Sequence, residues 1–233
     1  MKVKSWFSKA LLYYAAMLII LLNINPAVAS SNATQQSWKF RVLLDDKPIG
    51  FHQVTVARES DRKTIHTQAD FDVRFMYIPV YSYNHETREV WEDGCLVNIA
   101  STTDDNGDGY FINSQKQQQA FILQTQDGKQ TLNGCVRSFA YWDINLLKSN
   151  KLLNTQTGAY QPVTITDLGN DTLKLEQKDI DARHFRLVCE DMTIDLWYTQ
   201  DMHWLALEST TKSGAVLRYL PESINTINRE ASL

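Results

Sequence analysis

Apolar and polar residues alternate one for one over most of this chain, and that period of two restricts it to β structure. In SWKFRVLL, Trp38, Phe40, Val42 and Leu44 fall on one face, with Lys39 and Arg41 on the other. A strand projects successive side chains to opposite sides, so this alternation marks a strand with one buried face. Asp45-Asp46-Lys47-Pro48 then turns the chain into IGFHQVTVAR. TIHTQADFDVRF sets Phe71, Val73 and Phe75 against Asp70, Asp72 and Arg74, and VYSYNHETREVW puts Tyr81, Tyr83, His85 and Trp91 on one side. Further strand-like runs are QAFILQT, PVTITDLG, TLKLEQK, ARHFRLVCE, MTIDLWYT, HWLALEST and AVLRYL. Between them stand EDG, DGK, NG, GND, TQD and KSG, which are turn signals rich in Gly, Asp and Asn. The spacing predicts an all-β fold, a single antiparallel meander of about eleven strands curled into a half-open barrel. The absence of strand–helix–strand alternation argues against a parallel sheet.

One stretch breaks the alternation. Residues 135–162, CVRSFAYWDINLLKSNKLLNTQTGAYQP, crowd Leu146, Leu147, Leu152 and Leu153 near Tyr141 and Trp142. A short helix is expected over Asp143–Ser149, with Asp143 as its N-cap. The leucines need something to bury against. The segment either covers the concave face or plugs an open end of the sheet, or it packs on the core as an ordinary connection.

The N-terminus reads as a secretory signal. MKVKSWFSK carries three lysines and no acid, the apolar run ALLYYAAMLIILLNI covers residues 10–24, and Ala27-Val28-Ala29 supplies the small-x-small cleavage pattern. An uncleaved anchor is the other reading, but about 15 apolar residues fall short of the roughly 20 that span a bilayer. Cleavage near Ala29 gives three parts: a signal peptide over 1–29, one β domain over 37–222 and a C-terminal tail over 223–233. Losing three lysines lowers the 23 basic residues to 20 against 27 acidic ones, a net charge of −7. Nucleic acid and anionic membrane surfaces reward basic patches, so neither is expected as a main partner, and a membrane surface is expected to be met only transiently. Export also permits disulfides. Cys95 and Cys135 each follow a turn signal, whereas Cys189 alternates with Phe185 and Leu187. A Cys95–Cys135 bridge is the expected pairing, with three buried thiols as the alternative.

Catalytic and metal signatures are thin. TTDDNGDGYF places Asp104, Asn106 and Asp108 as the first ligands of a calcium loop with Gly109 at its turn. The twelfth position is Gln115 where a bidentate glutamate belongs, and both flanks read as strands. A hairpin tip is therefore expected, with a weak calcium site as the minority reading. His52, His66, His85, His184 and His203 form no H-x-H or H-E-x-x-H pair, and G-x-S-x-G and phosphate-binding glycine loops are absent. His85, Glu89 and Asp93 share a strand face with Trp91, which suits a cross-strand packing group before an acid–base pair. No cofactor is implied.

WKFRVLLDDKPIGFHQV (38–54), YSYNHETREVWEDGCLVNIASTTDDNG (81–107), LNGCVRSFAYWDINLL (132–147), LLNTQTG (152–158) and IDLWYTQDMHWLALES (194–209) carry a resemblance over nearly the whole exported chain. They resemble an exported bacterial family whose domain has no assigned function. More distantly, the chain is similar to Lol-type periplasmic carriers of lipoproteins and lipids. That resemblance implies a curved sheet around an apolar cavity and no catalytic residues to transfer.

The expectation is thus a periplasmic or otherwise exported, non-catalytic protein that binds an apolar or lipid-like small molecule. The expected ligand-lining residues are Trp38, Phe40, Phe71, Phe75, Tyr83, Trp91, Trp142, Leu146, Leu147 and Trp197. Two other classes stay open. An envelope lipid- or sugar-modifying enzyme, or its accessory subunit, requires polar residues such as His85, Arg88 and Glu89 in a cleft. A scaffold requires a long unpaired edge strand and no pocket.

Overall fold

Alternation is realised as strands along almost the whole length. The computed structural model describes residues 34–222, apart from 118–119, 176–177, 191 and 211–213. The expected signal peptide and C-terminal tail lie outside the described residues. Eight strands come first: β1 (Thr34–Leu44), β2 (Lys47–Glu59), β3 (Arg62–Phe75), β4 (Ile78–Glu92), β5 (Cys95–Asp105), β6 (Asp108–Gln117), β7 (Ala120–Thr125) and β8 (Gly128–Asn133). A 3₁₀ helix at Ile144–Lys148 and the short strands β9 (Lys151–Leu153) and β10 (Tyr160–Pro162) follow. The last five strands are β11 (Thr164–Leu175), β12 (Lys178–Cys189), β13 (Met192–Tyr198), β14 (Trp204–Thr210) and β15 (Val216–Pro221).

Thirteen of these strands form one antiparallel sheet in the order β11-β12-β13-β14-β15-β1-β2-β3-β4-β5-β6-β7-β8. The remaining two, β9 and β10, pair with each other. The sheet is open, because β11 and β8 end it and do not meet. The expected single meander is corrected in one respect. The C-terminal strand β15 returns beside β1, so two meanders are spliced at that pair, with Phe40 opposite Pro221 and Leu44 opposite Leu217. The strand number also exceeds the expected eleven. Gly128–Asn133 is a strand without apolar alternation, since five of its six residues are exposed. The Gly-Asn-Asp signal at 169–171 is not a turn. It sits within β11 at a bulge, where Asp167 Oδ1 accepts from the Gly169 N–H at 2.8 Å and Gly169 takes φ +89°.

The irregular segment between β8 and β11 sits inside the curve of the sheet. Val136, Ala140, Leu146, Leu152, Leu153 and Val163 are buried in one cluster with Trp38, Val54, Ile65, Trp91, Ile99 and Leu123 of the first meander. The same cluster holds Phe185, Leu187, Ile194, Leu196, Tyr198 and Trp204 of the second meander. One connection therefore packs against both halves of the sheet, and the sheet must curl for that to happen. Each fully buried Leu or Val in it contributes roughly 1.5–3 kcal/mol. Asp143 caps the 3₁₀ turn by accepting from the Asn145 N–H, the position expected from the sequence, although the turn winds as 3₁₀. A smaller cluster of Leu175, Ala182, Trp197, Leu205 and Ala206 is packed separately.

The connection is tied down at its start. Cys95, the first residue of β5, is disulfide-bonded to Cys135, with Cα atoms 5.1 Å apart; Cys189 is a free, buried thiol. Alongside the bridge, Leu96 N–H donates to the Val136 carbonyl at 2.8 Å and Arg137 Nε donates to the Gly94 carbonyl at 3.0 Å. Closing a loop with a sequence separation of 40 restricts the unfolded chain by about 4 kcal/mol in the chain-entropy account. Reduction, or a Cys95→Ala/Cys135→Ala variant, is expected to lower stability by roughly 2–4 kcal/mol in denaturant titration. An unchanged midpoint would show that the connection is held by packing alone.

Candidate functional site: a cavity under the concave face

The connection does not fill the curve completely. A cavity of about 620 Å³ remains between the inner faces of β2, β3 and β4 and the connection, a size typical of small-molecule sites. Its sheet wall alternates by strand register. Ile49, His52 and Val54 come from β2, Thr67, Ala69, Phe71 and Val73 from β3, and Tyr81, Tyr83, His85, Thr87 and Glu89 from β4. The β4 set is every second residue of that strand, because side chains on one face of a strand recur with period two. Phe139, Tyr141, Trp142, Thr155 and Gln156 of the connection face it.

Aromatic rings make up much of the lining. Phe71 and Tyr83 stack at 5.2 Å, and Phe40 packs 4.2 Å from Trp204, which in turn lies 5.4 Å from Tyr141. Towards the β5–β6 hairpin, four polar side chains form a chain. Tyr81 donates its hydroxyl to Asp105 Oδ1 at 2.8 Å, Gln156 Nε2 donates to Asp105 Oδ2 at 2.9 Å, and Tyr83 donates to Gln156 Oε1 at 3.2 Å. Burial, and for Tyr81 the bond to Asp105, raise both phenols above their usual range.

Deeper in, His85 is held through both nitrogens, by Thr103 Oγ1 and Thr87 Oγ1 at 2.7 Å each. Burial pushes its pKa down to about 4. His52 retains some surface open to the cavity, yet the dense wall around it, with His85 adding repulsion, pushes its pKa down to about 3. Both rings are neutral at physiological pH. Glu89 is buried, and loss of solvent pushes its pKa up to about 7 despite the hydrogen bond its Oε2 accepts from Trp91 Nε1 at 2.6 Å.

Of the ten residues expected to line a pocket, Phe71, Tyr83 and Trp142 do so. Trp38, Phe40, Trp91 and Leu146 are filled core, and Leu147 packs against that core. Two expectations are corrected outright. Phe75 is 67% exposed at the β3–β4 hairpin, beyond the part of the sheet that the connection covers. Trp197 belongs to the separate small cluster, stacked on His184 at 4.5 Å, because its neighbours Leu196 and Tyr198 take the inward face. Arg88 points away from the cavity and pairs with Glu86 on the exposed face, while His85 and Glu89 line it. His52, Tyr219, Gln156 and Asp105 were missed. For Asp105 a signal existed: it continues the inward parity of Ile99, Ser101 and Thr103.

The TTDDNGDGYF stretch forms the β5–β6 hairpin. Asp105 pairs with Asp108 across a two-residue turn in which Asn106 and Gly107 have φ of 55° and 95°. Asp104 Oδ1 accepts from the Gly107 N–H at 2.7 Å, so it braces the turn. Among the described residues, no group of three or more His, Cys, Asp or Glu side chains gathers as a metal site.

A curled, open antiparallel sheet with an aromatic cavity beneath a buried connection defines an all-β, barrel-like protein. The chain belongs to the family described as "Domain of unknown function (DUF6134)", which matches residues 40–222. Its fold is similar to that of a solved β-barrel-like protein of another domain of unknown function, DUF1849, from Brucella abortus. That likeness has a TM-score of 0.58 at 7% identity and covers 80% of this chain and 95% of that one. No curated protein matches the sequence.

The buried acid and imidazoles oppose each other in pH. Glu89 holds its proton more tightly folded than unfolded, so its penalty is absent below about pH 4.5 and complete above about 7, on the order of 3 kcal/mol. His52 and His85 bind protons less tightly when folded, so their contribution is present above about 6.5 and lost as the pH falls towards 4 and 3. Glu89→Gln is therefore expected to gain melting temperature relative to the parent as the pH rises from 4.5 to 8. A difference that stays constant across that range would show that Glu89 ionises freely.

Proposed function

We propose that this is a non-catalytic exported protein that carries an apolar or lipid-like small molecule in the cavity. The observation that carries the reading is the cavity itself. A volume of about 620 Å³ lined largely by Phe, Tyr, Trp and aliphatic side chains is retained inside a densely packed sheet. Apolar ligand surface buried there contributes roughly 25 cal/mol per Å². The Cys95–Cys135 disulfide supports an oxidising compartment such as the periplasm.

The β3–β4 hairpin supplies a means of transient contact with a membrane. Its tip reads Phe75-Met76-Tyr77-Ile78-Pro79-Val80, and the exposures run from 53% at Val80 to 96% at Tyr77. Phe75 pairs with Ile78 across the turn, so the apolar side chains are presented together at the end of a two-stranded hairpin. Val73 and Tyr81, the next inward-facing residues, line the cavity. A prong that dips into the acyl boundary beside the cavity gives a lipid-like ligand a short path between bilayer and protein.

Two measurements test this. Solvent extraction of protein purified without detergent is expected to release a lipid-like molecule detectable by mass spectrometry, and an empty cavity that takes up no apolar probe would refute the carrier reading. Met76→Asp/Ile78→Asp is expected to reduce co-flotation with phosphatidylcholine vesicles at least tenfold while leaving apolar-probe affinity unchanged. Equal flotation would remove the hairpin from the proposal.

A further inference from the structure

The register of the sheet sets a polar floor under the aromatic lining. Across β1, β2, β3, β4 and β5 one inward row reads Phe40, His52, Ala69, His85 and Thr103, each paired with the next. Ala69 stands between two imidazoles. Strands lie about 4.8 Å apart, so the rings are rooted about 10 Å apart, with only a methyl group between them. The next inward row adds Thr67 opposite Thr87. All of these except Phe40 and Thr103 line the cavity.

Two features decide what this floor recognises. First, the lining contains no Lys or Arg; its charged types are Glu89 and Asp105. Both oxygens of Asp105 are engaged by Tyr81 and Gln156, and Glu89 accepts from Trp91. A carboxylate or phosphate seated here would be desolvated with no countercharge. Second, among the described residues His52 has no hydrogen-bond partner. Its Nδ1 is sealed in the wall and unpaired, whereas Nε2 is not sealed off and belongs to a ring that faces the cavity. The ring lies edge-on to Tyr219 at 5.1 Å and to Trp204 at 6.1 Å, so its immediate neighbours are aromatic. A buried polar group is normally paired, and an unpaired one facing a cavity points to a partner supplied by the ligand. His85, by contrast, already has both nitrogens occupied.

We propose that the cavity takes an uncharged amphiphile, a hydrocarbon tail ending in a hydroxyl, ester or amide, with its head over Ala69 and hydrogen-bonded to His52. This rests on the carrier reading and specifies its ligand. The tail lies among Phe71, Tyr83, Trp204 and Tyr219, and the head sits beside His52, Ala69, His85, Thr67 and Thr87.

The test is calorimetric titration of the delipidated protein at pH 6, where Glu89 is mostly protonated and both imidazoles are neutral, with dodecan-1-ol, dodecanoate, dodecylamine and dodecane. The alcohol is expected to bind at least tenfold more tightly than either charged analogue. His52→Phe is expected to cost the alcohol about tenfold in affinity and to leave dodecane unchanged. Dodecanoate or dodecylamine binding as tightly as the alcohol would overturn the proposal while leaving the carrier reading intact. A His52→Phe variant that binds the alcohol like the parent would remove the headgroup contact. Failure of all four probes would sink the carrier reading and this inference together.

Discussion

The packing of Val136, Ala140, Leu146, Leu152 and Leu153 against the inward rows of the sheet is the contact on which the rest of the structure depends. A thirteen-stranded open sheet has two faces and two edges, and its concave face is too apolar to leave in water. Barrels solve this by closure. Here β8 and β11 never meet, and the chain that joins them is folded inward instead. The disulfide and the Leu96–Val136 and Arg137–Gly94 hydrogen bonds fix where that chain enters.

The cavity is the part of the concave face that the connection leaves uncovered. Its position follows from the order of residues in the connection. The crowded leucines fill one region, while Phe139, Tyr141 and Trp142, with the turn at Asn154–Gln156, roof another. The lack of Lys and Arg in the site has the same origin. Basic side chains such as Lys39, Arg41 and Arg88 lie on the opposite parity of their strands, so alternation itself keeps positive charge out of the cavity. Glu89 and the imidazoles of His52 and His85, which do face inward, are desolvated towards their neutral forms.

Legibility in the sequence varied with the range of the interaction. Trp38, Phe40 and Trp91 were correctly read as inward-facing, because parity along a strand is local. Whether an inward residue is core or cavity wall depends on which part of the connection lies over it, and residues 135–162 carry no periodicity that reports their path. Phe75 shows the limit plainly: it shares parity with Phe71 and Val73, yet it lies past the end of the covered sheet and is exposed. His52 is the converse. A single histidine in IGFHQVTVAR looks like an ordinary strand residue, and only its register against Ala69 and, beyond it, His85 gives it meaning.

By itself the sequence determined the β class, the inward and outward faces of the strands, most of the breaks between them and the presence of one aperiodic apolar segment. Each follows from steric and solvation preferences acting within a few residues. Tertiary structure alone decided the splice of β15 onto β1, the inward path of the connection and the gap it leaves over Ala69. These depend on contacts between residues far apart in the chain, and no local pattern encodes where two distant surfaces fail to meet.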